Sequence, residues 1–283
     1  MSLTNKALLV TLNISQWAAR KLDRQESAEI ARKHGTVDGA ARVNKSLLPM
    51  AQSLDAIHKL TGAIRTDYYQ LTLPWAEGQG IIKADGYLGF TKIMSEHKRK
   101  WDNAVAAFVA DYPKLREDAK FLLNGLYKDE DYPEPEVVAS KFKMDVAFYP
   151  VPDAGDWRVG LSDAEVERLK AQVTDRVMEA QGRAMKEAWQ RVFNVVSRAH
   201  ERLSNPDNIF RDSLIENARE LCRILPSLNI ADDPALEKAR QDIEYNLCDY
   251  EPDDLRKNEN LRANVSDKLA EIMAKMGPMF GAN

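Results

Sequence analysis

Cysteine is scarce in this chain. There are two, Cys222 and Cys248, among 283 residues. Each sits in a helical pattern beside apolar neighbours, so the pair reads as reduced, buried thiols and not as a disulfide framework. Histidine is nearly as rare, with four, at 34, 58, 97 and 200. No Cys-x-x-Cys or His-x-x-x-His spacing occurs, so no zinc site and no other metal ligand is expected. His97 lies on an apolar helix stripe, where a core histidine is the plainer reading, and no spacing brings His58 and His200 together.

The glycine-rich signatures are missing too. There is no Gly-x-x-x-x-Gly-Lys-Ser/Thr phosphate loop and no Gly-x-Gly-x-x-Gly turn after a strand; Gly78-Gln-Gly80 is only a fragment. No Gly-x-Ser-x-Gly elbow is present. The readable nucleotide-binding and serine-hydrolase classes are thereby excluded, and no catalytic residue and no cofactor is expected. Long hydrophobic runs are absent as well: none approaches the roughly 20 apolar residues that a membrane span needs. The start, MSLTNKALLVTLNISQW, lacks a basic leader region, and Thr11 and Asn13 interrupt its apolar run. A soluble, unsecreted protein with no membrane contact is the expectation. Finally, there is no excess of positive charge. The formal net charge is −4, which argues against a dedicated non-specific binder of duplex DNA but leaves a local basic groove open.

What is present is mostly helix. Leu8, Val10, Leu12 and Ile14 alternate with Leu9, Thr11 and Asn13, which predicts a strand. Ser15 then looks like the N-cap of a helix ending at Gly35. Leu47, Met50, Leu54, Ile57, Thr61, Ile64, Tyr68 and Leu71 step by three and four, a long amphipathic helix from Ser46 to about Tyr69. The stretch LTLPWAEGQGIIKADG breaks it. A second long helix runs from about Gly86 to Asp111, and Pro113 restarts a shorter one. An acidic loop, KDEDYPEPE, follows; its Asp129, Glu130, Asp131, Glu134 and Glu136 lack the spacing of a calcium loop and read as solvated.

Met144, Val146 and Phe148 repeat the period of the first strand. Two such strands in one chain are expected to pair, 8–14 with 143–149, because unpaired buried backbone is costly. Trp157-Arg158-Val159 adds a short third strand in this reading. The small sheet serves as a fastener or as a binding edge. Ser162-Asp-Ala-Glu165 is a capping box that opens a helix of more than 40 residues, reaching Leu203. Its stripe is rich in alanine, at 180, 184 and 188, which lets helices approach closely. The expected fold is therefore mainly α: a long antiparallel helical bundle with coiled-coil-like packing and a small two- or three-stranded β-sheet. The expected division is residues 1–204 as the bundle with its sheet, and 205–283 as a C-terminal helical part packed on it.

Two surfaces are candidates for binding. One is basic: Lys98, Arg99 and Lys100, with Lys92 on the same helix and Arg20, Lys21 and Arg24 in the first. The other is aromatic: Tyr69, Pro74 and Trp75 in one loop, Tyr132-Pro133 in another, and Tyr149 and Trp157 in the β region. Large aromatic rings in loops either pack beneath the loop or anchor a partner.

Several stretches together, ALLVTLNISQWAARKLD, TLPW, DYPEPE, FYPVPDAGDWRV and NIFRDSLIENARELCRILPSLNI, resemble a family of mostly helical proteins encoded by bacteriophages and prophages. No activity is assigned to that family, so the resemblance carries over no catalytic residue. It implies a phage origin and action in the cytoplasm of the infected bacterium. The expected function is non-enzymatic binding or assembly through contact with a phage or host protein, with self-association compatible. The alternative is a single-stranded nucleic-acid binder in phage replication or recombination, stacking bases on aromatic rings beside a basic groove.

Overall fold

The computed structural model describes residues 3–155 and 162–276. In chain order the elements are β1 (Ala7–Ser15), β2 (Arg20–Asp23), α1 (Arg24–Lys33), β3 (Val43–Ser46), α2 (Gln52–Leu71), β4 (Leu73–Ala76), β5 (Gln79–Lys83), α3 (Tyr87–Leu123), α4 (Pro135–Ser140), β6 (Lys143–Pro150), α5 (Asp163–Leu203), α6 (Ser213–Leu228), α7 (Pro234–Ile243), a π turn (Glu244–Cys248), α8 (Pro252–Lys257) and α9 (Glu259–Met276). Among the described residues the fold is mainly helical, with a four-stranded and a two-stranded sheet.

The larger sheet has the order β4-β5-β1-β6, so β1 and β6 are hydrogen-bonded neighbours, as their shared period predicts. β1 also has a second partner that its alternation does not announce. β5 pairs antiparallel with β1 on its other side, Leu8 opposite Ile82 and Val10 opposite Gly80. β4 and β5 form a hairpin out of the stretch taken as a helix break. Gly78 turns it with φ +68. Leu73, Ile81 and Ile82 are fully buried, so burial of three large side chains outweighs the breaker residues Pro74 and Gly80. The short strand read over Trp157–Val159 lies outside the described residues.

The chain divides into two compact units, one of residues 1–11, 68–91 and 147–283, the other of residues 12–67 and 92–146. In the second unit Ser15 does not cap a helix. Ala19 adopts a left-handed conformation with φ 46, β2 pairs with β3, and α1 begins only at Arg24. Asp23 is the cap, its Oδ1 accepting from the amides of Gln25 and Glu26 at 3.1 Å each. Two amide bonds to a fixed carboxylate are stronger than one to a serine hydroxyl at the end of a strand. Gly35, with φ +64, does end α1. α2 begins at Gln52, not Ser46, because Val43–Ser46 is spent on β3. α3 runs unbroken through Pro113. A proline inside a helix costs about 3 kcal/mol, but Phe108, Tyr112 and Ala119 bury both flanks. The core here gathers Ile57, Ile64, Trp101, Phe108 and Phe142. A polar chain crosses it: Trp101 Nε1 donates to Thr61 Oγ1 at 3.2 Å, and that hydroxyl donates to Gln16 Oε1 at 3.0 Å.

In the first unit α5 is one uninterrupted helix with the predicted start. Ser162 accepts from the Glu165 amide. Ala180, Ala184, Ala188, Val192 and Ala199 are buried, and α9, α6 and β4 pack along the helix. Val173 is only half-buried, like Leu169 and Val177, and full burial on this helix begins at Ala180.

Candidate functional site

The first unit places five aromatic rings in one series. Tyr69 meets Tyr68 at 5.4 Å between centroids, Tyr68 meets Phe90 at 6.2 Å, Phe90 meets Phe148 at 5.9 Å, and Phe148 meets Tyr87 at 4.9 Å, all edge-on. α2 ends at the first ring and α3 begins at Tyr87, while β6 supplies Phe148, so three elements converge. The middle is fixed. Phe90 and Tyr68 are buried, and the Tyr68 hydroxyl donates to the Val10 carbonyl at 2.8 Å. Burial pushes that hydroxyl's pKa up to about 12, so it stays protonated. The ends are open: Tyr69 is 64% exposed and Tyr87 36%, and their chain neighbours Leu88, after Tyr87, and Tyr149, after Phe148, are 77% and 46% exposed. A single exposed apolar residue means little, but a supported group of them marks a contact surface.

The backbone below Tyr69 is held from α5. Arg191 donates to the carbonyls of Tyr69, Gln70 and Thr72, each at 2.9 Å, and so satisfies the end of α2.

A second feature of the same unit lies where α5 ends and α6 begins. Arg198, Arg202 and Arg211 line a hollow of ≈ 350 Å³, with Phe210 and Leu214 as apolar wall and Ser213 and Asn217 on the side of α6. The loop between the helices is fixed by Arg262 of α9, which is 6% exposed. Its guanidinium donates to the carbonyls of Arg202, Leu203, Asn205, Pro206 and Asn208. The Phe210 ring carries the Arg256 and Arg262 guanidinium groups at 5.0 and 5.4 Å from its centroid.

The residues singled out from sequence separate. Trp75 is 7% exposed in β4, so it packs into the core and offers no ring. Tyr132 is buried as well, its hydroxyl donating to the Leu47 carbonyl at 2.7 Å. Pro74, Tyr69 and Tyr149 are exposed. Trp157 lies outside the described residues. Lys98 pairs with Asp102 at 2.6 Å and Lys100 with Glu96 at 2.8 Å, each one turn along α3, while Arg99 is exposed without an ion pair among the described residues. Lys98 and Lys100 thus form a solvated, locally neutralised face.

The acidic loop is not uniformly solvated. The Asp131 side chain is 1% exposed and pairs with Lys45 at 2.7 Å and with Lys21. Burial opposes its ionisation, but the two lysines outweigh that and hold its carboxyl below the usual range. Lys45 also donates to the Leu126 carbonyl at 2.8 Å. The hollow around this group mixes bases and acids, so its charges largely cancel.

The cysteines, far apart in sequence, come together. Cys222 on α6 and Cys248 in the π turn place their Sγ atoms 3.9 Å apart, both buried, sharing a hydrogen bond and no disulfide. Nothing in the sequence spacing announces this contact. A third ligand is not at hand: among the described residues no group of three or more His, Cys, Asp or Glu is placed to hold a metal ion. His97 Nε2 meets Asp67 at 2.6 Å, and His200 Nδ1 lies 3.0 Å from Ser266 Oγ.

Sequence reasoning missed the arginine hollow. The one signal available was Arg198 and Arg202 four residues apart, with Arg211 following; the loop that turns Arg211 back toward α5 has no local signature.

No family model, no curated protein and no solved structure matches this chain. Among the described residues no helix is long and apolar enough to cross a membrane.

Proposed function

We propose that the protein is a non-enzymatic binding or assembly protein that acts by contact with another protein. The observation that carries this reading is the aromatic series of the first unit: a buried, hydrogen-bonded middle with Tyr69 and Tyr87 exposed at its ends, and Leu88 and Tyr149 exposed next to Tyr87 and Phe148 in the chain. Rings held from beneath lose little conformational freedom on binding, and their apolar area is buried without need of net charge. The alanines buried on α5 support close, coiled-coil-like helix packing as the scaffold behind this face. The resemblance to phage and prophage proteins supports an origin in a phage and a partner, of phage or host, inside the infected bacterium.

The test is affinity capture from infected and uninfected bacteria with the full chain and with a Tyr69→Ala, Leu88→Ala, Tyr149→Ala variant. The expected outcome is a protein captured by the parent, resistant to nuclease treatment, and lost with the variant. Equal capture by both would sink the reading.

A second reading is single-stranded nucleic-acid binding. The exposed rings of Tyr69 and Tyr149 favour it, since base stacking on an aromatic side chain is worth about 1–3 kcal/mol per base. Its test is fluorescence anisotropy with single-stranded and duplex oligonucleotides. Single-strand binding lost on Tyr149→Ala supports it; duplex binding with Kd below about 1 μM argues for a different protein surface.

A further inference from the structure

We infer that Arg198, Arg202 and Arg211 form a binding site for a phosphomonoester, independent of the aromatic face. The first ground is charge. Arg198, Arg202 and Arg211 line one hollow whose other lining residues are Ile209, Phe210, Ser213, Leu214 and Asn217, with no acidic residue among them. In the chain as a whole acids outnumber bases, 44 to 40, and six of the twelve described arginines of this unit form ion pairs. Arg223 pairs with Glu220, Arg240 with Glu237 and Glu244, and Arg256 with Asp212 and Asp253. Arg198, Arg202 and Arg211 have no ion pair among the described residues. Arg198 and Arg202 are one turn apart on α5, a spacing at which like charges repel.

The second is position. Asp212 precedes α6 and is placed to cap it, yet it makes no capping bond with its side chain. Its carboxylate goes to Arg256. Ser213, at the first position of this 16-residue helix, lines the hollow, while the two acids at the helix start, Asp212 and Glu216, are not among its lining residues. The third is rigidity. Arg262, buried and bonded to five carbonyls, fixes the loop that carries Arg211, so the three groups are not gathered at the expense of loop order when a ligand arrives.

The chemistry of the ligand follows. A phosphomonoester carries about −1.5 to −2 charges and three acceptor oxygens near neutral pH. Its three oxygens can engage several guanidinium groups at once, which a single carboxylate with two oxygens does less well. Ile209, 89% exposed, and Leu214 form an apolar lip suited to an organic group attached to the phosphate. Free phosphate and an organic phosphate share the recognised chemistry, and the probes separate them.

The experiment is calorimetric titration of the full chain, at about 150 mM ionic strength to suppress diffuse attraction. The probes are inorganic phosphate, phenyl phosphate and a single-stranded oligonucleotide with a 5′-hydroxyl, whose phosphates are all diesters. Both small phosphates are expected to bind, phenyl phosphate more tightly if the lip takes part. Affinity should fall at least about tenfold in Arg202→Gln/Arg211→Gln and stay unchanged in Lys98→Gln/Lys100→Gln. Arg202→Lys/Arg211→Lys, which keeps charge and loses the fork, should fall between. All four side chains are exposed, and the Arg202 carbonyl that Arg262 uses is untouched, so thermal unfolding should be unchanged. Absence of binding, or equal binding by the Arg202→Gln/Arg211→Gln protein, overturns the inference. Binding of the oligonucleotide alone, lost in that variant, also overturns it and assigns the hollow to a nucleic-acid backbone.

Discussion

Arg262 donates from Nε to the carbonyl of Leu203 at 3.1 Å, at the last residue of α5, from a position 59 residues further along the chain. Four more carbonyls, of Arg202, Asn205, Pro206 and Asn208, take the rest of the guanidinium. The last carbonyls of a helix have no partner within it, and one side chain here satisfies the helix end and the loop after it. It lines no part of the hollow itself. Its role is to place the residues that do.

Arg262→Ala is expected to lower stability by about 2–4 kcal/mol, because several carbonyls lose their donor around a buried site. Arg262→Lys should recover less than half of that, since an ammonium lacks the planar fork that reaches all five. Urea unfolding of the two variants measures both values. A loss below about 1 kcal/mol for Arg262→Ala would show that water replaces the guanidinium without difficulty.

Gly80 sits in β5 where a Cβ would stand 2.9 Å from Thr72 Cβ and 3.1 Å from the Tyr68 hydroxyl. That hydroxyl is engaged with Val10, so it cannot swing away without breaking a buried bond. Gly80→Ala is expected to cost about 1–3 kcal/mol by overpacking. Gly62, with open space around it, is the control: Gly62→Ala lies within helix α2 and should stabilise slightly. Thermal melts of the two proteins should therefore shift in opposite directions.

Asp232 joins Lys6 and Lys83, and the hydrogen bonds from these lysines lower its pKa from 3.8 to about 2. A carboxyl that is more acidic in the folded state stabilises the fold above its unfolded pKa. That contribution is lost as pH falls through the folded value. The window is thus pH 4 down to 2. Its size is limited to about 1 kcal/mol because the carboxylate is partly open to water. Guanidinium unfolding of the parent and of Asp232→Asn should differ at pH 6 and converge near pH 2. A constant difference across that range would assign the effect to something other than ionisation.

The thiol of Cys222 is raised in pKa by its hydrogen bond with Cys248 and by burial. A thiol held in its protonated form and out of solvent reacts slowly with disulfide reagents. In the native protein, reaction of Cys222 with Ellman's reagent at pH 8 is expected to be at least about 100-fold slower than in urea. Mass spectrometry of the alkylated peptide identifies the site. Rapid native labelling of Cys222 would show that α6 and the π turn open readily.

The sequence by itself determined what is local. Alternation marked residues 8–14 and 143–149 as strands, the box at Ser162 and Glu165 opened α5, and Gly35 closed α1; in each case neighbouring residues hold all the information. Some local signals also misled. Pro113 read as a helix end, and Pro74 with Gly78 and Gly80 read as a break. Burial of Phe108 and Tyr112 in one case, and of Leu73, Ile81 and Ile82 in the other, outweighs the backbone preference.

Tertiary structure decided the rest. Whether Trp75 or Tyr149 faces water depends on which strand covers it, and a side chain's own neighbours in sequence say nothing about that. Lys98 and Lys100 were legible as a basic run yet are neutralised along their own helix, whereas Arg198, Arg202 and Arg211, never a run, converge on one hollow. That convergence requires a turn after α5, and the turn is held by Arg262 from the last described helix. Local periodicity can announce a helix. It carries no record of which distant side chain will cap that helix, and so none of which charges will be brought together at its end.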